Sequence, residues 1–370
     1  MRILLVCTQY RFIGGIAETI DNLARELLNL GHDVQVVATP YVMPGAEPVP
    51  RTLEPIVVRI PAKKPVTWRH PERIFPSGAH RHLARAIGEF RPDVVSCHVN
   101  AWDRIPTVVR ACRVARVPLV YSLYDRFAPG NLGTRALMPL KFACAITTIS
   151  ASTRRDFEQL APWLSRATVI ILGVDVAAAR AAVPLRRERP YIFCAARLEL
   201  RGKAIDVLIS AFGAIASDHP ELDLLIAGSG PDADELKKQA ALAGLAERVL
   251  FLGTVSREEL WKLYKGALFY AMPSRRPEGL GLIFLESMAC GRPVIGSASG
   301  GTPEIVTHGE TGLLLKRNEP AELADAMRTM LDDGEAREAM GRRGLEFASR
   351  FTWSAVAESY LKVYRSCLGR

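Results

Sequence analysis

Residues 277–306 read PEGLGLIFLESMACGRPVIGSASGGTPEIV, and the order of signals in this stretch decides the architecture around it. Gly279 and Gly281 free the backbone of a loop, residues 282–289 carry a helical apolar run, and Gly291 with Pro293 ends that run before the strand PVIGS. Loop, helix and strand in this order make one repeat of a parallel α/β sheet. Two acids sit inside the repeat. Glu278 opens it, and Glu286 falls mid-helix, one turn from Leu282, Ile283, Ala289 and Cys290. A solvated glutamate fits that pattern. If Glu286 is buried, a ligand hydroxyl or a cation has to satisfy it, because an isolated carboxylate away from water is costly. The glycine loop running into a helix start leaves N–H groups unpaired at the positive end of the helix dipole, which is a site for phosphate. Glu278 stands at the mouth of that site, where a sugar carried by the phosphate would lie.

The same alternation runs outward in both directions. Strand signals occur at 3–8, 34–38, 57–60, 93–98, 119–123, 146–150 and 169–172, then in YIFCAAR, LDLLIAG, RVLFLG, ALFYAMP, PVIGS and GLLLK, with helical patterns between them. At residues 177–190, AAARAAVPLRRERP, alanine, charge and two prolines replace the pattern. This predicts two Rossmann-like doubly wound α/β domains, residues 1–176 and 177–350, facing a central cleft. A terminal helix in 351–370 is expected to pack back on the first domain. Ligands are expected beyond the carboxyl ends of the strands.

Three segments place charge or glycine at those ends. CAARLELRGKAIDVLISAF puts Arg197 after a strand and Lys203 before a helix, so both reach one point at the sheet edge; a surface loop rich in charge is the plainer reading. Gly14 and Gly15 follow the first strand, and His98 closes the strand DVVSCH. A turn and a core histidine are the ordinary explanations, and an anion or sugar contact is the functional one. Gly228–Ser229–Gly230 reads as a tight turn. Asp232, Asp234 and Glu235 read as first-turn acids favoured by the helix dipole rather than as metal ligands.

Composition narrows the function classes. The chain has 370 residues and a formal charge of +9. The excess is confined to residues 1–170, with 22 Lys+Arg against 13 Asp+Glu, whereas residues 171–370 hold 26 of each. A basic first half suits an anionic partner, either a phosphorylated or lipid-linked acceptor or an acidic membrane surface. VTWRHPERIFPSGAHRHLARA, with Trp68, Arg69, His70, Arg73, His80, Arg81, His82 and Arg85, is the candidate contact, against the plain reading of a solvated helix face. No aromatic-interleaved basic platform argues for nucleic acid. Seven widely spaced cysteines read as reduced thiols in a cytoplasmic protein, and no apolar run is long enough to span a bilayer, so any membrane contact is peripheral.

Together these residues resemble the retaining glycosyltransferases of GT-B fold, family 4. The likeness spans most of the chain and is strongest over residues 191–315. The family's hallmark is two glutamates separated by seven residues in a P-S-R-x-E-G-x-G-L setting, matched here by PSRRPEGLGLIFLE with one extra residue before Glu278. The resemblance implies that Glu278 contacts hydroxyls of the transferred sugar and Glu286 the ribose. It further implies that the backbone of Gly281, Leu282 and Ile283 joins Arg197 and Lys203 on the diphosphate, that Val255 in FLGTV holds the base, that Gly15 lies near the phosphates, and that His98 touches the donor sugar. Three departures stand out. Lys203 comes six residues after Arg197 rather than five, Tyr124 replaces a usual histidine, and Leu172 a usual asparagine.

The expected activity is transfer of a sugar from a nucleoside diphosphate sugar with retained anomeric configuration, by front-face substitution and without a required metal or other cofactor. Two rivals share the motifs. An epimerase of similar fold would act on the donor alone, and a binding protein would not turn it over.

Overall fold

Short β-branched runs form two parallel sheets in a computed structural model that describes residues 1–8, 15–39, 57–59, 79–98, 105–124 and 137–369. The chain divides into two units, Met1–Gly173 with Trp353–Arg370, and Val174–Thr352.

In the first unit the strands are β1 (Arg2–Thr8), β2 (Asp33–Thr39), β3 (Val57–Arg59), β4 (Val94–His98), β5 (Leu119–Leu123), β6 (Ala145–Thr148) and β7 (Thr168–Val169). They pair in the order β3-β2-β1-β4-β5-β6-β7. The helices are α1 (Gly15–Asn29), α2 (Ala79–Phe90), α3 (Ile105–Ala115) and α4 (Ala151–Leu160). Successive side chains of a strand alternate between faces, so Leu4 and Val6 join Leu83, Ile87, Val108 and Cys112 in one core while Ile3, Leu5 and Cys7 are buried on the other face. Strand order reverses between β1 and β4, which places His98 at a topological switch point.

The second unit opens with α5 (Val176–Ala181) and continues β8 (Tyr191–Ala195), α6 (Ile205–Gly213), β9 (Asp223–Ala227), α7 (Ala233–Leu242), β10 (Val249–Gly253), α8 (Arg257–Gly266), β11 (Tyr270–Met272), α9 (Leu282–Ala289), β12 (Val294–Ser297), α10 (Thr302–Ile305), β13 (Gly312–Leu315), α11 (Pro320–Asp332) and α12 (Gly334–Ala348). Its sheet runs β10-β9-β8-β11-β12-β13, and the reversal here lies between β8 and β11. The irregular segment 177–190 is fixed to this unit. Leu185 N–H donates to Lys262 O (2.9 Å), and Lys265 Nζ caps the carbonyls of Ala179 and Arg180 at the end of α5.

The last helix, α13 (Trp353–Leu368), belongs to the first unit. Its buried residues Trp353, Val356, Ala357, Tyr360, Leu361, Tyr364 and Cys367 recur at three and four, one stripe of a helix facing a core. The two tyrosines reach polar groups of the sheet, with Tyr364 Oη donating to Ser96 Oγ (2.8 Å) and Tyr360 Oη 3.3 Å from Ser122 Oγ. The cysteines are free thiols, all buried except the half-buried Cys144. Among the described residues no helix is long and apolar enough to cross a membrane.

Tyr364→Ala removes a fully buried ring and is expected to cost about 3–5 kcal/mol, whereas Tyr364→Phe, which loses the Ser96 bond alone, should cost about 1 kcal/mol. Denaturant unfolding of the whole chain checks both. Equal losses would show that the ring contributes nothing through packing.

Candidate functional site

The reversal between β8 and β11 sets two loops side by side at the carboxyl end of the second sheet. The loop after β8 carries Arg197 and Lys203, and the loop after β11 carries residues 273–281. They join as a short antiparallel contact, Lys203 against Ser274, with Ala204 N–H donating to Pro273 O (3.1 Å). Lys203 Nζ then lies 2.6 Å from Glu278 Oε1, and Ser274 Oγ donates to the same oxygen. Both side chains are about four-fifths buried, so the charges hold each other where neither is fully hydrated. Oε2 of Glu278 accepts no hydrogen bond from the described residues.

The backbone of Glu278 is pinned from the other side. Gly301 N–H donates to Glu278 O (2.8 Å), and Gly300, at φ +64°, lies so close that a Cβ there would sit 2.1 Å from that oxygen. Only glycine fits.

Gly281 is the N-cap of α9 with φ +87° and no side-chain cap. The amides of Leu282 and Ile283 therefore end the helix unpaired. Beside them Thr302 is fully buried, and its Oγ1 has no hydrogen-bond partner among the described residues; it lies 3.7 Å from where a Gly281 Cβ would be. An uncapped helix start next to an unused buried hydroxyl and a lysine is suited to an anion.

Glu286 is buried and doubly engaged. Arg257 Nη2 lies 2.7 Å from Oε1, and the Tyr264 hydroxyl donates to Oε2 at 3.0 Å. Arg257 in turn stacks on Trp261, 4.5 Å from its centroid. Burial and the neighbouring Glu286 carboxylate push the Tyr264 hydroxyl well above its ordinary range, so it remains a donor. Sequence reasoning left Glu286 with an unidentified partner and passed over Arg257 and Tyr264. Arg257, Trp261 and Tyr264 recur at four and three along α8, one helix face, which was the signal available.

The remaining second-unit candidates are less constrained. Arg197 is exposed and pairs with Glu199 (3.5 Å) rather than with Glu278. Val255 is half-buried between β10 and the capping box of Ser256 and Glu259 that starts α8. The Gly228–Gly230 turn packs on the Ala196 and Leu198 backbone, and Asp232 Oδ2 accepts from Leu200 N–H (2.7 Å).

In the first unit Gly15 begins α1, its carbonyl accepting from Thr19 Oγ1 (2.6 Å). His98 occupies the anticipated strand end but presents no open nitrogen. It is fully buried, with Nδ1 2.6 Å from the Tyr124 hydroxyl and Nε2 2.9 Å from Ser96 Oγ. Both ring nitrogens are thus engaged by side chains of the first unit. Ser96 Oγ also accepts from the Tyr364 hydroxyl, and assigning the serine proton to Nε2 leaves the ring proton on Nδ1, toward Tyr124. Trp68, Arg69, His70, Arg73, Gly14 and the side chain of His80 lie outside the described residues. Arg81, His82 and Arg85 are exposed on α2, with Arg85 paired to Glu89 (2.6 Å).

Comparison with known proteins follows this geometry. Residues 175–347 match the family described as glycosyl transferases group 1, and residues 13–178 match Glycosyltransferase Family 4. The chain is 30% identical to glycogen synthase of Mycobacterium tuberculosis, over 98% of this chain and 94% of that enzyme. It is 35% identical over 228 residues to the GDP-mannose-dependent alpha-(1-6)-phosphatidylinositol monomannoside mannosyltransferase of the same organism, spanning 57% of this chain and 59% of that relative's length. The Anabaena protein HepE, solved in complex with UDP and glucose, matches with a TM-score of 0.80 at 21% identity over 98% of both chains, a likeness of fold.

Burial lowers the His98 imidazole to about 3. The unfolded chain, with an ordinary histidine near 6.5, takes up a proton first as the pH falls, so this contribution is complete above that value and lost below it. Between about pH 6 and 5, unfolding free energy should drop by up to about 1.4 kcal/mol per pH unit on account of this residue. His98→Phe should flatten the slope. An unchanged slope would mean that the histidine is protonated in the folded state.

Proposed function

The chain belongs to the group 1, family 4 glycosyltransferases, and we propose that it moves a sugar from a nucleoside diphosphate sugar to an acceptor with the anomeric configuration retained. The observation that carries this reading is the Lys203–Glu278 pair beside the uncapped start of α9. In it Lys203, Arg197 and the amides of Gly281, Leu282 and Ile283 hold the diphosphate, and Glu278 holds hydroxyls of the sugar. Glu286 takes the ribose through lone pairs that Arg257 and Tyr264 leave free, the backbone at Val255 meets the base, and Gly15 lies near the phosphates. Developing charge on the departing diphosphate is met by groups already oriented, which is where such sites gain most of their rate. His98 acts through Tyr124 or after that hydroxyl moves aside.

Retention by front-face substitution is the family's pattern. It is supported by Glu278 being neutralised by Lys203 and Ser274, which makes it a poor nucleophile. HepE, a neighbour in fold, was solved with UDP and glucose, and a mannosyltransferase among the relatives is GDP-mannose-dependent, so both bases belong in a donor screen. The positive excess in residues 1–170 favours an anionic or lipid-linked acceptor, and with it peripheral contact with an anionic membrane.

Incubation with UDP-, GDP-, ADP- and TDP-sugars, following nucleotide release with and without acceptors, tests the activity. Lys203→Ala should lower turnover by about 10²–10³-fold. Unchanged release from the preferred donor would remove Lys203 from the diphosphate. Glu278→Gln should abolish transfer while nucleoside diphosphate affinity holds or rises, because the lysine loses its internal partner. A fall in that affinity would move Glu278 off the sugar.

A further inference from the structure

We propose that Arg275 is a positioning residue for the donor diphosphate, clamping the loop after β11 onto the loop after β8 so that Lys203 and Glu278 meet. The proposal rests on the nucleotide-sugar reading above and concerns a residue outside the contacts assigned there.

The clamp has side-chain and backbone parts. The Arg275 guanidinium forms two bonds of 2.6 Å to the two carboxylate oxygens of Asp206, in the first turn of α6, and a third to Leu200 O at 3.0 Å. A fork-on-fork pair of this kind fixes direction as well as distance. The backbone N–H groups of Arg275 and Arg276 both donate to Gly202 O, at 3.0 and 3.2 Å. Arg275 therefore grips residues on either side of Lys203, at 200, 202 and 206, from a point three residues before Glu278. Burial raises the Asp206 carboxyl, but the Arg275 hydrogen bond and charge outweigh it and hold the group below its usual range, so the pair stays ionised near neutrality.

The contacts also account for the length of both loops. Lys203 comes one residue later after Arg197, and Glu278 one residue later after Ser274, than the family pattern has them. The two longer loops meet each other at Gly202 O, which receives two amides from the second loop. A longer reach on one side is matched by a longer reach on the other, and the lysine and glutamate remain 2.6 Å apart.

A merely stabilising ion pair, with partners 40% and 30% exposed, would affect the nucleoside and phosphate parts of the ligand alike. A clamp on Lys203 affects the phosphate end. The test is calorimetric titration of the full chain with UDP and UMP, and with GDP and GMP. Wild type should bind one diphosphate more tightly than its monophosphate. Arg275→Ala should cut diphosphate affinity about tenfold or more and leave monophosphate affinity unchanged. Arg275→Lys should recover little, and the exchange Arg275→Asp with Asp206→Arg should recover part. If Arg275→Ala does not fold, Asp206→Asn, which keeps shape and removes the charge, is read in the same way. Equal weakening of mono- and diphosphate, or no weakening of either, overturns the clamp. Failure of wild type to bind any of the four nucleotides overturns the donor reading and the clamp with it.

Discussion

A parallel sheet requires every connection to cross back over one face, so all strands deliver their carboxyl ends to one edge, and the edge opens where strand order reverses. In the second unit the reversal at β8 and β11 leaves two loops with nothing between them, and the Lys203–Glu278 pair fills the space. Much of the local structure depends on that contact. Ser274 supports the shared oxygen, Gly301 fixes the glutamate backbone, and Gly300 is excluded from being anything else. In the donor reading proposed above, a phosphate would take the lysine and a sugar the glutamate, each in place of the other partner.

The first unit solves a different problem at the equivalent edge. His98 and four hydroxyl side chains, Ser96, Tyr124, Tyr360 and Tyr364, are linked in one buried hydrogen-bonded chain. A buried chain of this kind is strong when complete and costly when one member is missing. The result is a neutral, oriented imidazole. Its freedom to meet a ligand is set by Tyr124 rather than by solvent.

The elements were legible because their periods are short-range properties. Most strand runs from β1 to β13 could be read from β-branching and flanking glycine or proline, and the site loops from their glycines, whereas the run expected at 169–172 is a two-residue strand at Thr168–Val169. Glu278 and Glu286 were legible together because their motif is continuous in sequence, and Lys203 because it follows a strand in a loop of its own. What failed to show was the identity of partners across the fold. Arg257 reaches Glu286 from α8, and Arg275, given no role of its own in PSRRPEG, meets Asp206, 69 residues away. A core histidine was among the readings of His98, but the chain of hydroxyls around it was hidden for the same reason, since Tyr364 contacts Ser96 across 268 residues. Apolar pattern records which side chains are inside, not which polar groups find each other there.

One feature of chain routing bears on biosynthesis. The first unit is interrupted: the polypeptide leaves it at Gly173, completes Val174–Thr352, and supplies α13 last. Until residues 353–368 emerge, the face of β4 bearing Ser96 and His98 lacks its cover, and the tyrosines that complete the buried chain have not been made. The second unit is contiguous in sequence, whereas the core of the first is complete only when the two ends of the polypeptide, residues 1–173 and 353–370, are brought together.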